Sequence, residues 1–206
     1  MPTIYDLKPK FQALLRPLCR ALADAGVTAN QVTLGAFALS VAYGALLLFT
    51  GARASLLLLL PLVLFIRMGM NAIDGMLARE FGQKSDLGAI LNELTDVLSD
   101  AALYLPFAYI SGLAPAWVVA VVVIGVIAEM TGVIGVQIGA ARRYDGPFGK
   151  SDRAFFFGAL AVLLGLGLAP GVWSTVALAL AAALGAATVV NRARQALKEA
   201  RKERGI

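Results

Sequence analysis

Six apolar runs divide the chain, at residues 28–50, 54–78, 87–110, 115–140, 153–169 and 172–191. Each approaches the roughly 20 apolar residues that an α-helix needs to cross a bilayer. Gly51-Ala52-Arg53, Ser111-Gly112-Leu113-Ala114 and Ala169-Pro170-Gly171 join three pairs of runs with almost no charge. The other two connectors are basic, with Arg79 and Lys84 in one and Arg142, Arg143, Lys150 and Arg153 in or beside the other. Short basic loops stay in the cytoplasm. The alternation predicts an all-α integral membrane protein of six transmembrane helices, with both termini on the cytoplasmic side.

Ahead of the first run, Ile4, Leu7, Phe11, Leu14, Leu15, Leu18 and Leu22 recur at spacings of three and four, opposite Lys8, Lys10, Arg16 and Arg20. That pattern predicts an amphipathic helix over 3–25 lying in the membrane interface, with Pro9 and Pro17 starting or kinking its segments. It is too polar for a signal peptide. The organisation expected is one domain over 1–206: the interfacial helix, a bundle over 28–191 and a basic cytoplasmic tail over 192–206.

Composition narrows the chemistry. Hydrophobic residues make up 59% of the 206 and charged residues 15%, against about 45–50% and about 25% in soluble domains. No large soluble catalytic domain fits, so any chemistry sits within the bundle or at its rim. There is no histidine, which removes His acid–base catalysis and His metal ligation, and a single cysteine, Cys19, which removes a disulfide or a zinc ribbon. The net charge of +5 is explained by topology and anionic lipid, without nucleic acid.

Five acids fall inside apolar runs: Asp74, Glu93, Asp96, Asp100 and Glu129. Facing lipid, each would cost about 2.5–3.5 kcal/mol on insertion scales, so they face a wet or metal-filled interior, or pair with Arg67 or Arg79. Asn71 and Asp74 are three apart, and Asn92, Asp96 and Asp100 are successive fours. Each set makes a stripe on one helix face, and the short link over 79–86 turns the stripes toward each other. Oxygen ligands without His or Cys suit Mg²⁺, Mn²⁺ or Ca²⁺ rather than zinc. At about 100° per residue, Glu93 lies about 60° from Asp96, at the edge of the same cluster. Gly75, Ala78 and Gly88 leave bare backbone beside the acids.

The run Asp74-Gly75-Met76-Leu77-Ala78-Arg79, eight residues, Gly88, three residues, Asn92, three residues, Asp96 resembles the signature of the CDP-alcohol phosphotransferase (CDP-alcohol phosphatidyltransferase) family. That signature is Asp-x-x-Asp-Gly-x-x-Ala-Arg, about eight residues, then Gly-x-x-x-Asp-x-x-x-Asp. The six-helix layout, the interfacial helix and Thr28–Thr33 at the head of the first run are also similar, so the resemblance covers nearly the whole chain. The first and third acids of the family are Asn71 and Asn92 here. A bacterial branch with the same two Asn and a similar Gly-Pro-Phe-Gly-Lys-Ser-Asp-Arg loop resembles the chain more closely.

The resemblance implies transfer of a phosphoalcohol group from a CDP-linked donor, commonly CDP-diacylglycerol in bacteria, to a hydroxyl, with release of CMP. It implies divalent ions, Mg²⁺ or Mn²⁺, two in the four-acid family and one or two here. Asn71, Asp74, Asn92 and Asp96 fill the ligand positions, Glu93 stands at their edge, and Asp96 is also the candidate base. Gly75, Ala78, Arg79 and Gly88 correspond to the nucleotide site. Family members are often dimers, and the place implied is the bacterial cytoplasmic membrane, with the active site facing the cytoplasm.

In the loop over 142–153, Arg142, Arg143, Lys150 and Arg153 can hold the lipid's phosphate or a phosphorylated acceptor such as glycerol 3-phosphate; they also serve as a plain topology signal. Glu129, about 18 Å above that loop at 1.5 Å per residue, reaches the depth of Asp100. Both are acceptor-pocket candidates, or partners in an interhelical hydrogen bond.

Three rival functions share parts of this pattern. Asn92-Glu93-x-x-Asp96-x-x-x-Asp100 resembles the first motif of intramembrane aromatic prenyltransferases, but a second Asp-rich motif is missing. Buried acids also mark ion-coupled transporters, which predict inverted repeats that the sequence lacks. A binding-only relative that keeps the nucleotide site is favoured by the Asn pair.

Overall fold

The computed structural model describes residues 4–204, with side chains described from Lys10 onward. Thr3 at the start of the expected interfacial helix, the side chains of Ile4, Leu7, Lys8 and Pro9, and the last two residues of the tail lie outside the described residues. The described chain is all α: α1 (Ile4–Asp24), α2 (Ala29–Phe49), α3 (Ala54–Glu80), α4 (Asp86–Tyr104), α5 (Pro115–Ile134), α6 (Lys150–Gly165) and α7 (Val172–Arg204), with 3₁₀ turns at Leu105–Tyr109 and Gly135–Ile138. Every apolar run corresponds to a helix. The third run becomes α4 plus a 3₁₀ turn because Pro106 cannot donate to the preceding turn.

Among the described residues, four helical segments are long and apolar enough to cross a membrane by length and composition: Ala29–Phe49, Ala54–Glu80, Pro115–Ile138 and Val172–Arg204. The other two runs fall short of that measure for physical reasons. Helix α4 carries Asp86, Glu93, Asp96 and Asp100 in 19 residues. Helix α6 has 16 residues, about 24 Å of rise against a hydrocarbon core of about 30 Å. Helix α7 continues unbroken through the basic segment to Arg204.

The chain forms two compact units, Met1–Tyr43 with Leu62–Ser99, and Gly44–Pro61 with Asp100–Ile206. In the first unit, the amphipathic helix is anchored rather than merely adsorbed. Cys19 is fully buried with Ala29, Val32, Ile73, Met76 and Leu77, and Leu15 and Leu22 pack against that core. Leu14 and Leu18 stay exposed, an apolar edge suited to the interface. Arg16 pairs with Glu80 at 3.0 Å, and Pro17 sits inside the continuous helix.

The start of α2 is fixed by a reciprocal cap. The Thr28 hydroxyl accepts from the Gln31 N–H, and Gln31 Oε1 accepts from the Thr28 N–H. Gln83 Oε1 accepts from the Ala29 N–H at 2.7 Å, which ties the α3–α4 link to the head of α2. Ser85 Oγ accepts from the Gly88 N–H at the start of α4.

In the second unit, α5 packs along α7. The buried faces carry small residues at helical spacing, Gly125, Ala128 and Gly132 on α5 with Ala181, Ala182, Gly185 and Thr188 on α7, which lets the backbones approach closely. Tyr104 stacks on Phe157 with ring centroids 4.2 Å apart, and Phe107 meets the same ring edge-on.

Candidate active site

The predicted donors of the first unit lie on α3 and α4, and the two stripes meet. Asn71 Nδ2 donates to Asp96 Oδ1 at 3.0 Å. Asp74, one turn further along α3, is buried, and its Oδ2 accepts from the Thr33 hydroxyl at 2.8 Å. The same hydroxyl lies 3.1 Å from the Ala29 carbonyl, so its one hydrogen is shared between the two acceptors and the head of α2 orients this carboxylate. Arg67 Nη2 donates to the Asp96 backbone carbonyl at 3.0 Å and stands 3.6 Å from its Oδ1.

Around these groups, the Arg79 guanidinium lies over Gly75, where an added Cβ would meet Nη2 at 3.0 Å. The Asn30 carboxamide lies over Gly88, 2.8 Å from where a Cβ would sit. Asn92 is exposed, Glu93 half-buried, and Ala78 packs against the core around Cys19.

Among the described residues, no three of Asp, Glu, His and Cys converge into a metal-binding group. The donor chemistry still fits a hard cation, because Mg²⁺ is commonly held by one or two carboxylates, with water and substrate phosphates completing the shell. Asp74 and Asp96, with the carboxamide oxygens of Asn71 and Asn92, would supply donors of that kind.

The remaining candidates gather in the second unit as an ion network. Asp100 Oδ2 accepts from Arg153 Nε and Nη2 at 3.3 and 3.0 Å. Glu129 Oε1 accepts from Arg153 Nη2 at 3.1 Å, and its Oε2 lies 3.2 Å from Arg192 Nη1 and 3.4 Å from Arg142 Nη2. Arg142 also lies over the Tyr144 ring at 4.1 Å. Arg143 is gripped by Asp145 at 2.6 Å and by Glu199. The hydrogen bond it donates to Asp145, reinforced by Glu199, pushes its pKa above that of an ordinary arginine. Lys150 opens α6, where Asp152 accepts from the Gly149 N–H.

Three contributors escaped the sequence reading of the site. Arg192, expected in the tail, is 1% exposed and donates to the carbonyls of Ala128, Tyr144 and Asp145. It pins the loop over 141–149 to α5. Thr188 accepts from the Phe148 N–H and fixes the same loop. Thr33 carried no charge to draw notice. Arg67, one of the two basic residues the sequence offers as partners for the acids, does meet Asp96; Arg67, Asn71 and Asp74 follow at i, i+4 and i+7, one face of one helix.

The family model for CDP-alcohol phosphatidyltransferase matches residues 26–187. The inner membrane protein YnbA of Escherichia coli is 46% identical over 195 residues, covering 95% of this chain and 96% of that protein. The archaetidylinositol phosphate synthase of Pyrococcus horikoshii is 31% identical over 97 residues, 47% of this chain and 49% of that one. Among solved structures, the fold is similar to the Mycobacterium tuberculosis phosphatidylinositol phosphate synthase PgsA1. Its complex with manganese and citrate superposes with a TM-score of 0.73 at 22% identity, over 88% of both chains. Its complex with CDP-DAG gives 0.72 at 22% identity, over 90% of this chain and 92% of that one. The chain belongs to the CDP-alcohol phosphatidyltransferase family, as a multi-pass membrane enzyme related to those of phospholipid biosynthesis.

Proposed function

We propose that the protein transfers a phosphatidyl group from CDP-diacylglycerol to a hydroxyl acceptor and releases CMP. The observation that carries this reading is the meeting of Asn71 with Asp96, which sets the two halves of the family motif against each other. That PgsA1 has been crystallised with CDP-DAG and with manganese supports the choice of donor and of Mg²⁺ or Mn²⁺.

Asp74 and Asp96, with Asn71 and Asn92 beside them and Glu93 at the edge, would hold the divalent ion. When bound, the ion supplies charge neutralisation on the donor diphosphate. Thr33 holds Asp74 in one orientation. Arg79, exposed beside Gly75, is free to swing onto a phosphate, while Gly75, Ala78 and Gly88 border the cytidine. Asp96 is the base that takes the acceptor's proton. Displacing CMP otherwise needs positioning and charge more than covalent help from the protein.

In the second unit, Asp100 and Glu129 offer acceptor oxygens to hydroxyl groups of the alcohol. Arg142, Arg143, Lys150 and Arg153 form its basic side. Helices α4 and α6 cross the membrane with the other four, and their acids and arginines are turned inward. Both termini then lie in the cytoplasm of a bacterial inner membrane. One domain and a homodimer follow from the family resemblance.

Incubating the purified protein with CDP-diacylglycerol, Mg²⁺ or Mn²⁺ and a panel of alcohols should release CMP and yield one new lipid by mass spectrometry. The Asn pair favours a second reading, a relative that binds the CDP-lipid without turning it over. Saturable CDP-lipid binding with no CMP released under any alcohol would select it. For the six spans, single cysteines in a Cys19→Ser background should react with an impermeant reagent from opposite sides at Ser111 and Lys84. Labelling of both from one side would remove a crossing by α4.

A further inference from the structure

Three guanidiniums converge on one carboxylate of this chain. Glu129 Oε1 accepts from Arg153 Nη2 at 3.1 Å, and its Oε2 lies 3.2 Å from Arg192 Nη1 and 3.4 Å from Arg142 Nη2. Glu129, Arg153 and Arg192 are 7%, 3% and 1% exposed. Arginines gathered around one point are a common way to hold a phosphate, each through the parallel N–H bonds of its fork. Here the anion at that point is a side chain of α5.

The same arginines are committed elsewhere too. Arg192 donates from Nε, Nη1 and Nη2 to the carbonyls of Asp145, Ala128 and Tyr144. Arg153 donates from Nε and Nη2 to Asp100 Oδ2. A phosphate brought to the same point would have to displace Glu129. It would also face Asp100, a second carboxylate on the same guanidinium, and like charges repel strongly where water is scarce.

One donor is left over. Arg153 Nη1 is buried with no hydrogen-bond partner among the described residues, and a buried N–H₂ group without an acceptor is costly. A hydroxyl oxygen would satisfy it, whereas a phosphate is gripped by two parallel bonds from one fork. The oxygens of Asp100 and Glu129 beside it can accept from hydroxyl hydrogens.

We propose that the acceptor is an unphosphorylated alcohol, with Glu129 standing where a phosphorylated one would place its anion and Arg153 Nη1 donating to a hydroxyl oxygen. The inference rests on the transfer reading above, in which this network lines the acceptor pocket.

The first test supplies the full-length protein in lipid nanodiscs with CDP-diacylglycerol, Mn²⁺ and matched alcohols: glycerol against glycerol 3-phosphate, and inositol against inositol phosphate. CMP release should be at least about tenfold faster with an unphosphorylated alcohol than with its phosphorylated partner. Release that is equal, or faster with a phosphorylated member, overturns the inference and leaves the transfer reading standing. The second test is thermal unfolding in detergent at fixed ionic strength, without divalent ion and with inorganic phosphate as probe. The unaltered protein and Glu129→Asp should ignore phosphate. Glu129→Gln, which leaves the three guanidiniums without their shared anion, should gain at least about 3 °C from it. Stabilisation of the unaltered protein by phosphate, or a folded Glu129→Gln that ignores it, overturns the inference. If Glu129→Gln folds only in phosphate, the inference is supported; if it folds in neither buffer, the response of the unaltered protein decides. No CMP release with any alcohol sinks the transfer reading, whereas the phosphate response separately decides whether Glu129 holds the anion position.

Discussion

The two units use buried charge in opposite ways. In the first, Asp74 leans on a neutral hydroxyl and Asp96 on a carboxamide and one guanidinium. In the second, Glu129 alone stands within 3.4 Å of Arg142, Arg153 and Arg192, while Asp100 takes two bonds from Arg153. In the reading proposed above, the first pair serves a bound ion. A carboxylate ringed by guanidiniums also holds them in place, and removing it strands cations in a low dielectric. Loss of charge should therefore be felt as lost chemistry in the first unit and as lost stability in the second.

The sharpest break in that contrast comes from Asp74→Asn. The Thr33 hydroxyl can still donate to the new carboxamide, so folding should be preserved within about 1 kcal/mol, the net worth of one hydrogen bond. Turnover should fall at least about a thousandfold, near 4 kcal/mol of barrier, because the charge of a proposed ion ligand is gone. Thermal unfolding and CMP release on the same preparation check both halves. A variant that keeps its turnover would remove Asp74 from the chemistry.

Glu129→Gln should do the reverse. It leaves Arg142, Arg153 and Arg192 short of an anion, a change that costs about 3–5 kcal/mol when one partner of a buried pair is removed. The melting temperature should drop by far more than for Asp74→Asn. Any effect on turnover should appear in the KM for the alcohol and not in that for the CDP-lipid. Unchanged melting would mean that the network is not a structural strap.

A third, smaller effect separates the loop from the ion network it touches. Gly132 lies so close to the Arg143 carbonyl that a Cβ would meet it at 2.5 Å. Gly132→Ala must push the loop off α5, at about 1–3 kcal/mol for an overpacked contact. Gly139, with open space around it, is not a matched control, because its φ of +87° strains any side chain. Arg143→Met, which removes the ion pairs without adding bulk, is the proper comparison.

How much of this was legible in the sequence follows the physics of each signal. Helix positions were, because a continuous apolar run has few alternatives in a bilayer. Their ends were less so: α7 runs on as a helix through a segment that reads as a polar tail, since Ala196 and Ala200 still find a buried face. The motif residues on α3 and α4 were found because acids in apolar helices are costly and therefore conspicuous. Arg192 was not, because an arginine at the end of an apolar run looks like an interfacial anchor. Only the fold reveals that three carbonyls and Glu129 receive it. The cover of Asn30 over Gly88 was also hidden, since it depends on how the head of α2 is held by Gln83.

The smallest effect tests the weakest link in the first unit, the Thr33 hydroxyl. Thr33→Val keeps the shape and the β-branch while removing one donor to Asp74 Oδ2. It also removes the bond to the Ala29 carbonyl, but that carbonyl heads a helix and keeps its second lone pair available to the backbone. The net loss is about 1 kcal/mol, typical of a single hydrogen bond, or about fivefold. If Thr33 only braces α2 against α3, that loss appears in the melting temperature and leaves kinetics alone. If it aims Asp74 at an ion, the apparent Mn²⁺ constant weakens about fivefold while the KM for the alcohol stays put, and Thr33→Ser restores it. An alcohol KM that moves with the metal constant would mean that the two sets of groups work as one site, and the contrast between the units would no longer hold.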